Sequence, residues 1–495
     1  MVDVTTADTA TGGPETGNAA SRYSPAYKNL VLTLLTLAYT LNFIDRTIIA
    51  TIGQAIKVDL KITDTQLGLL GGFSFAILYT VLGIPLARLA ERWNRVSIIS
   101  LALLVWSGFT ALCGVAVGFG QLMMFRVGVG VGEAGLSPPA HSLISDYFDP
   151  KKRASALSVY SFGIPLGTMF GAALGGWLAK TYGWRVALMV VGAPGIIMAI
   201  LVKLLIKEPP REAAAPKLSV SSEFSELASV SRKLFLSWPV LNMILGVTLV
   251  SFAGYGAGQF VPPFFIRSFG LDYAQVGLIV GLIGGFSSGV GTLVGGFTTD
   301  WASKKSGTWY ALIPAIGVLI SAPIYIAAYS SSTWQTAALI LLLPGVFAYT
   351  YLGPTFGVIQ NVVGARQRAT ATALMFFVLN MIGLGFGPPF IGWVIDHMAQ
   401  FGFTHPGHHS IFSAIAQAFG SPASGPNFAK ACPGGIAPKG SGAAAAGACK
   451  AALITATRQG VIIGYAFNVW GSFHYFLASF GIAGALAKAK SGATA

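Results

Sequence analysis

The sequence predicts an all-α membrane protein with about twelve transmembrane helices arranged as two pseudo-symmetric six-helix bundles. Three observations predict it. Hydrophobic residues make up 54% of the 495-residue chain and charged residues only 10%, whereas soluble domains carry roughly 25% charged residues. Apolar windows of about 20 residues, enough to cross roughly 30 Å of hydrocarbon, recur along the chain. Short motifs of the first half return in the same order in the second.

The first six windows fall at about 30–55, 66–88, 96–118, 120–145, 154–179 and 185–206, and six more at about 239–266, 273–299, 309–330, 333–362, 368–397 and 459–486. They are numbered here spans 1 to 12. Residues 1–29 are polar and lack an apolar core, which reads as a disordered cytoplasmic tail and not as a signal peptide. Residues 207–238 hold Pro209, Pro210 and charges of both signs. They read as a cytoplasmic linker between an N-terminal bundle, 30–206, and a C-terminal bundle, 239–486. Residues 399–457, rich in Gly, Ala, Ser and Pro, read as a flexible external loop, and 487–495 as a second cytoplasmic tail.

Orientation follows from the basic residues. Arg88, Arg92 and Arg95, then Lys151, Lys152 and Arg153, then Lys207, Arg211, Lys217, Arg232 and Lys233, then Lys304 and Lys305 fall in loops on one side. The alternate loops are poorer. Cytoplasmic loops carry the excess of Lys and Arg, so the rich side and both termini are expected in the cytoplasm of a cell (inner) membrane protein. The net charge of +14 is thereby a topology signal, and no nucleic-acid partner is expected. The mean hydropathy of +0.68 agrees. Cys113 lies in an apolar run, while Cys432 and Cys449 share a polar segment and could pair if it lies outside. No metal-ligand spacing is present, and His405, His408 and His409 read as loop residues.

The halves repeat. Gln66-Leu67-Gly68-Leu69 returns as Gln275-Val276-Gly277-Leu278, Arg153-Ala154-Ser155-Ala156 as Arg368-Ala369-Thr370-Ala371, and Gly176-Trp177 as Gly392-Trp393. Repeated halves with a site between them mark secondary transporters. Ala87 to Arg95 after span 2, and Gly296 to Asp300 with Lys304 and Lys305 after span 8, resemble the loop signature of the major facilitator superfamily, although Ala87 and Asn94 replace its glycines and Glu91 its aspartate. Arg126 to Gly132 resembles that family's motif in the fourth helix. Glu133, Asn42 to Arg46, Gly135 to Ala140 and Asp146-Tyr147-Phe148 narrow the resemblance to the spinster branch, the sphingolipid and lysolipid transporters and their bacterial relatives. The resemblance implies the major facilitator fold over about residues 25–486, with Glu91, Arg92, Arg95, Asp300, Lys304 and Lys305 as gating-loop residues that latch the cytoplasmic ends. It also implies that spans 2, 5, 8 and 11 face the opposite bundle. Gly163, Gly167, Gly171 and Gly175, and Gly281, Gly285 and Gly289, form small-residue ridges suited to such contacts.

Asp45, Arg46, Arg126 and Glu133 lie well inside predicted spans. Each costs about 2.5–3.5 kcal/mol at a helix centre, so such groups pair or face a cavity. Asp45 and Arg46 point about 100° apart, and Arg126 and Glu133 stand roughly 10 Å apart along one helix face. Pairing between spans 1 and 4 is therefore expected, either Asp45 with Arg126 or Arg46 with Glu133. Asp45 and Glu133 are read as the proton-coupling pair, and Arg46 and Arg126, with Asn42, as cavity charge or substrate-binding groups. The second half offers neutral candidates, chief among them Tyr255, Gln259, Tyr349 and Asn380.

Two transport readings follow: a proton-coupled carrier of a lipid-like or amphipathic organic anion, and a proton symporter of a small organic or sugar acid. An apolar lateral opening beside spans 5 and 8 would favour the first, a closed polar cavity the second. A membrane enzyme would need a nucleophile and base or a metal cluster near the interface, and no such motif is found. No catalytic residue, cofactor or metal is assigned. The expected partners are the substrate, protons and membrane lipids, with the chain acting as a monomer.

Overall fold

The computed structural model describes residues 23–210, 220–364, 367–407 and 426–490. Among them the secondary structure is helical throughout. Span 1 is Pro25–Leu60, opened by Ser24, whose Oγ accepts from the Tyr27 N–H at 3.3 Å, and by a proline in its first turn. Span 2 joins Asp64–Gly71 to Phe73–Arg92, span 3 is Arg95–Cys113, and span 4 joins Phe119–Glu133 to Ser137–Tyr147. Span 5 is Pro150–Ser161 with the first part of Gly163–Leu205, and span 6 is the rest of that helix. Gly183, with φ of +84° and ψ of 161°, makes the turn between them, a conformation that suits glycine.

In the second half, span 7 joins Trp238–Gly258 to Val261–Phe269, and span 8 is Tyr273–Ser303. Span 9 is Trp309–Tyr329, and span 10 joins Trp334–Ala348 to Leu352–Asn361 through a tighter turn, Tyr349–Tyr351. Span 11 runs through Arg368–Val378, a π-helical stretch Leu379–Phe386 and Gly387–Thr404. Span 12 is Gly442–Ser479.

Length and apolarity alone pick out eight stretches, plus the pair Gly442–Ser479 and Ile482–Ala489, bent by 54°. One stretch, Ser155–Leu205, contains spans 5 and 6. The spans that fail this test are 1 and 4, the two that carry Asp45, Arg46, Arg126 and Glu133. Buried charge dilutes the apolar signal of a helix that packs inside a bundle.

Three expected irregular segments prove partly helical. The linker contains Val220–Phe235, an amphipathic helix that buries Val230 and Leu234 against the C-terminal bundle. The external segment is not a flexible loop from 399 to 457. Span 11 continues to Thr404, Phe428–Ala431 forms a short turn, and span 12 begins at Gly442, carried outward by an alanine-rich stretch of high helix propensity. A disulfide joins Cys432 to Cys449 there, and both cysteines are buried. Residues 408–425, with His408 and His409, lie outside the described residues. At the C-terminus, Ile482–Lys490 is helical past 486.

The bundles meet along two seams, and both part in the same direction. In the seam of spans 5 and 8, added methyl groups on Gly176 and Gly277 would strike the carbonyls of Tyr273 and Ala172, and one on Gly281 would lie 2.7 Å from the Met169 carbonyl. At Gly285 the gap is 3.5 Å, and at Gly289 nothing lies within 4 Å. In the seam of spans 2 and 11, Gly392 meets the Asp64 carbonyl and Gly68 that of Pro388. A methyl group on Gly72 would lie 2.5 Å from the Leu384 carbonyl, one on Gly385 3.6 Å from Ala76, and at Gly83 nothing lies within 4 Å. The bundles thus touch at the side opposite the chain termini and diverge toward the terminal side. The apolar core agrees: one buried cluster joins Ile52, Leu67 and Leu70 to Phe264, Phe265 and Ile395 across the bundles on the closed side.

A charged vestibule beneath a closed gate

Span 1 places its charges at the apex of this wedge. Arg46 Nε donates to Glu133 Oε2 at 2.7 Å; the Glu133 side chain is fully buried, while that of Arg46 is 20% exposed. The Arg46 guanidinium also lies over three rings, Phe43 at 5.2 Å, Phe75 at 4.8 Å and Tyr79 at 4.5 Å. Such contacts favour a cation held out of bulk water. Arg126 is buried, lies 5.6 Å from the same Phe75 ring, and points its Nε at the Leu70 carbonyl at 3.4 Å. Phe75 therefore stands between the two arginines.

Of the two pairings expected from depth, the structure forms Arg46 with Glu133. No ion pair within 4 Å joins Asp45 to Arg126 among the described residues. Asp45 is buried beside Trp106 and Thr110 of span 3. Its Oδ1, the Glu133 Oε1, the Asn42 Nδ2, the Thr110 Oγ and the Trp106 Nε1 are all buried without a hydrogen-bond partner. These groups face one another, the Thr110 hydroxyl and Trp106 N–H toward Asp45 and the Asn42 amide toward Glu133, so the two carboxylates sit among neutral donors in a loosely bonded buried polar cluster. Glu133 is the last residue of the first helix of span 4, and Ala134, Gly135 and Leu136 separate it from Ser137–Tyr147; the break sets the carboxylate at a helix terminus inside the bundle.

The C-terminal bundle supplies neutral groups. Tyr255 is 42% exposed and within electrostatic reach of Arg46, and Tyr349, at the tight turn of span 10, is 36% exposed. Asn380 sits half-buried on the π-helical stretch of span 11, a feature frequent at functional sites. Gln259 is buried at the break of span 7, and its amide lies against Gly71 of span 2, so it is a contact between the bundles.

At the terminal side no ion pair joins Arg92, Arg95, Asp300, Lys304 or Lys305 across the halves among the described residues. Arg95 is buried within the N-terminal bundle, where it binds Glu208 at 2.7 Å, Asp146 at 2.6 Å and the Ser142 Oγ at 2.7 Å. Arg92, Asp300, Lys304 and Lys305 are exposed, and Lys305 lies 4.9 Å from the Trp301 ring. The Glu91 side chain lies outside the described residues.

The opposite side carries a lock that the sequence reading did not anticipate. Asp64, at the start of span 2, accepts from Arg267 of span 7 at 2.6 and 3.1 Å and from Lys57 Nζ at 2.5 Å. Arg267 also donates to Gln54 at 2.8 Å and Thr457 at 2.9 Å. Asp396 of span 11 accepts from the N–H groups of Asp64 and Thr65, at 2.9 and 2.8 Å, and so caps the helix of span 2 from the other bundle. Lys180 and Asp272 form an exposed pair at 2.8 Å across the second seam. The disulfide-closed segment lies on this lock, with Gly434 and Gly435 packed against Lys57 and Val58. Asp64 opens its helix after the Thr63 cap, and Asp396 ends an apolar window; these were the available signals.

Comparisons with known proteins fit this architecture. The family model of the Major Facilitator Superfamily matches residues 35–388. An MFS-type efflux pump of Mycolicibacterium smegmatis is 32% identical over 77% of this chain and 87% of its own length. The hexuronate transporter of Bacillus subtilis is 26% identical over 78% of this chain and 93% of its own. A crystal structure of a bacterial homolog to the human lysosomal transporter Spinster, inward-facing and unoccupied, superposes with a TM-score of 0.79 at 33% identity. That match covers 94% of this chain and 99% of the homolog. The chain is a multi-pass membrane transporter, not an enzyme, and belongs to the Major Facilitator Superfamily, within which it is spinster-like.

Proposed function

We propose that the protein is a proton-coupled carrier that moves a lipid-like or amphipathic organic anion across the cell (inner) membrane by alternating access. The observation that carries this reading is the Arg46–Glu133 pair, set under aromatic rings at the apex of the vestibule, with Asp45 buried behind it. Arg46 is the group an anionic head would meet, and its present partner is a carboxylate. Protonating Glu133 removes the competing charge and frees the guanidinium for substrate. Returning the proton when the other side opens restores the pair and expels the anion. Asp45, without an ion-pair partner among the described residues, supplies a second site where a proton can be held.

The amphipathic class is supported by the parted seam. Spans 5 and 8 separate beyond Gly285, and Phe162 and Phe286 on these spans are 59% and 50% exposed, apolar surface that suits an acyl chain entering from the side. The hexuronate transporter among the relatives favours the second reading, a sugar-acid symporter on the same vestibule. Placing the termini in the cytoplasm is supported by the basic terminal-side loops and by the disulfide on the opposite side, where an oxidising compartment would keep it formed.

The test is flux into proteoliposomes under an imposed pH gradient, with lysophosphatidylglycerol and glucuronate as rival probes. Gradient-driven movement of the lysolipid, lost in Asp45→Asn and Glu133→Gln while the proteins still fold, is the expected result. Preference for glucuronate would select the second reading, and full coupling in both variants would remove the proton assignment.

A further inference from the structure

A further cation, Arg458, stands apart from the vestibule and the lock, on the outer face of the C-terminal bundle. A shallow, largely open groove is lined by Tyr329 and Ser330 at the end of span 9 and by Thr455, Arg458, Gln459 and Ile462 of span 12. Arg458 closes it toward span 7. Its Nε donates to the Ser268 Oγ at 3.3 Å, and its guanidinium lies 5.8 and 5.5 Å from the Phe264 and Phe269 rings. No carboxylate pairs with it among the described residues, and neither terminal guanidinium nitrogen has a hydrogen-bond partner there. Arginine is a planar fork of five donors suited to two oxygens of one anion. Here one donor is used, and the hydroxyls of Ser330 and Thr455 line the same groove.

The position selects the ligand. Arg458 sits at the edge of the apolar stretch of span 12, on the side of the molecule opposite the termini. Toward the membrane centre the surface turns apolar: Ile462 lines the groove, and Ile326, one turn along span 9 from Tyr329, is 43% exposed. An arginine at such a boundary holds its charge at head-group level, where a phosphate can use the donors that the protein leaves open. We propose that this groove binds a phosphate group, held by the free fork of Arg458, with the acyl chains of a phospholipid following spans 9 and 12.

The site shares helices with the lock. Arg267 reaches inward to Asp64 and Thr457, while the next residue on each helix, Ser268 and Arg458, joins on the outer face. A phosphate on Arg458 therefore braces the same span 7–span 12 contact that holds the gate shut, independently of what the vestibule carries.

Native mass spectrometry of the full-length protein, titrated with phosphatidylglycerol, phosphatidylcholine or inorganic phosphate, tests this. Wild type is expected to retain one more phosphatidylglycerol than Arg458→Gln, with apparent affinity about tenfold tighter, as expected for a charge-assisted bidentate contact. Arg458→Lys, which keeps the charge but not the fork, should fall between them and shows that loss is not misfolding. Binding of inorganic phosphate that depends equally on Arg458 would identify a free phosphate as the source. Unchanged binding of every probe in Arg458→Gln would overturn the site. Because the readout is lipid retention and not flux, failure here leaves the vestibule reading standing, and the reverse holds as well.

Discussion

The N-terminal bundle buries Asp45, Arg46, Arg126 and Glu133, whereas the C-terminal bundle faces them with Tyr255, Tyr349 and Asn380. The repeat makes the contrast sharper. The offset of 209 residues that relates Gln66 to Gln275 carries Arg46 to Tyr255, and the offset of 215 that relates Arg153 to Arg368, and the helix Phe119–Glu133 to Trp334–Ala348, carries Glu133 to Ala348, next to Tyr349. The two members of the central ion pair thus have uncharged residues, a phenol and a methyl group, at their repeat positions. In the proposed reading one bundle holds the charge that responds to protons, and the other offers hydroxyl and aromatic surface that does not change with pH near neutrality. Asymmetry of this kind lets a symmetric rocking motion drive a directed reaction, because only one wall of the vestibule changes its charge.

The contrast is broken most severely at Arg46. Arg46→Gln leaves the Glu133 carboxylate buried and unpaired, which costs about 3–5 kcal/mol. The double variant Arg46→Gln, Glu133→Gln should recover most of that stability and remain unable to move substrate. Thermal unfolding in detergent and liposome flux, run side by side, separate the two effects. Tyr255→Phe and Tyr349→Phe should leave folding and proton coupling intact and change only apparent substrate affinity. Loss of coupling in either tyrosine variant would show that the division of labour between bundles is wrong.

Next in size is the lock, where the bundles are complementary instead of different. Asp64 belongs to one bundle and Arg267 to the other, and Lys57 leans on the same carboxylate. Asp64→Asn strands two buried cations, at a cost again of a few kcal/mol, so the closed side should open. Spin labels on Lys61→Cys and Lys439→Cys, both at exposed positions on that side, should report a longer distance in Asp64→Asn than in wild type. An unchanged distance distribution would mean that the glycine seams alone keep this side closed.

The seams give a smaller and more local test. Gly277→Ala drives a methyl group into the Ala172 carbonyl, and Gly289→Ala meets nothing within 4 Å. The first should disfavour the present closure by about 1–3 kcal/mol, as overpacked contacts do. The second should be neutral for stability in this conformation and obstruct only the state in which the terminal side closes. Flux should therefore fall in both, with the spin-label distance lengthened in Gly277→Ala alone.

How much of this was legible in the sequence depends on range. The spans, the six-plus-six division and the four buried charges follow from local composition, because a membrane penalises each of them residue by residue. Counting 1.5 Å per residue along opposed helices even reduced the central pairing to two choices. The lock was not legible. Asp64 and Arg267 are 203 residues apart and Asp64 and Asp396 332 apart, and no local pattern links them. The same holds for Arg95: the family resemblance implied a latch between bundles, and in this conformation Glu208 and Asp146 hold it inside one. Which acid a basic residue meets is settled by tertiary packing, and the helical segments of the linker and external loop were missed for a related reason, since alanine-rich or amphipathic stretches become helices only where a surface supports them.

The smallest effect belongs to Lys180 and Asp272, the exposed pair across the second seam. The hydrogen bond from Lys180, aided by the N–H of Gln275, holds the Asp272 carboxyl below its ordinary value. A depressed value means the contact is present at neutral pH and is lost only as the pH falls through that lowered value. Exposed pairs of this kind contribute about 0.2–1 kcal/mol. Asp272→Asn should therefore shift the spin-label distribution slightly toward the opened form and leave the pH profile of flux between about pH 5 and 8 unaltered, since an ordinary aspartate titrates near 3.9. That invariance matters for the larger comparison. If the profile moved, the proton response would have to be shared with the gate, and the carboxylates of the N-terminal bundle would no longer be its sole source.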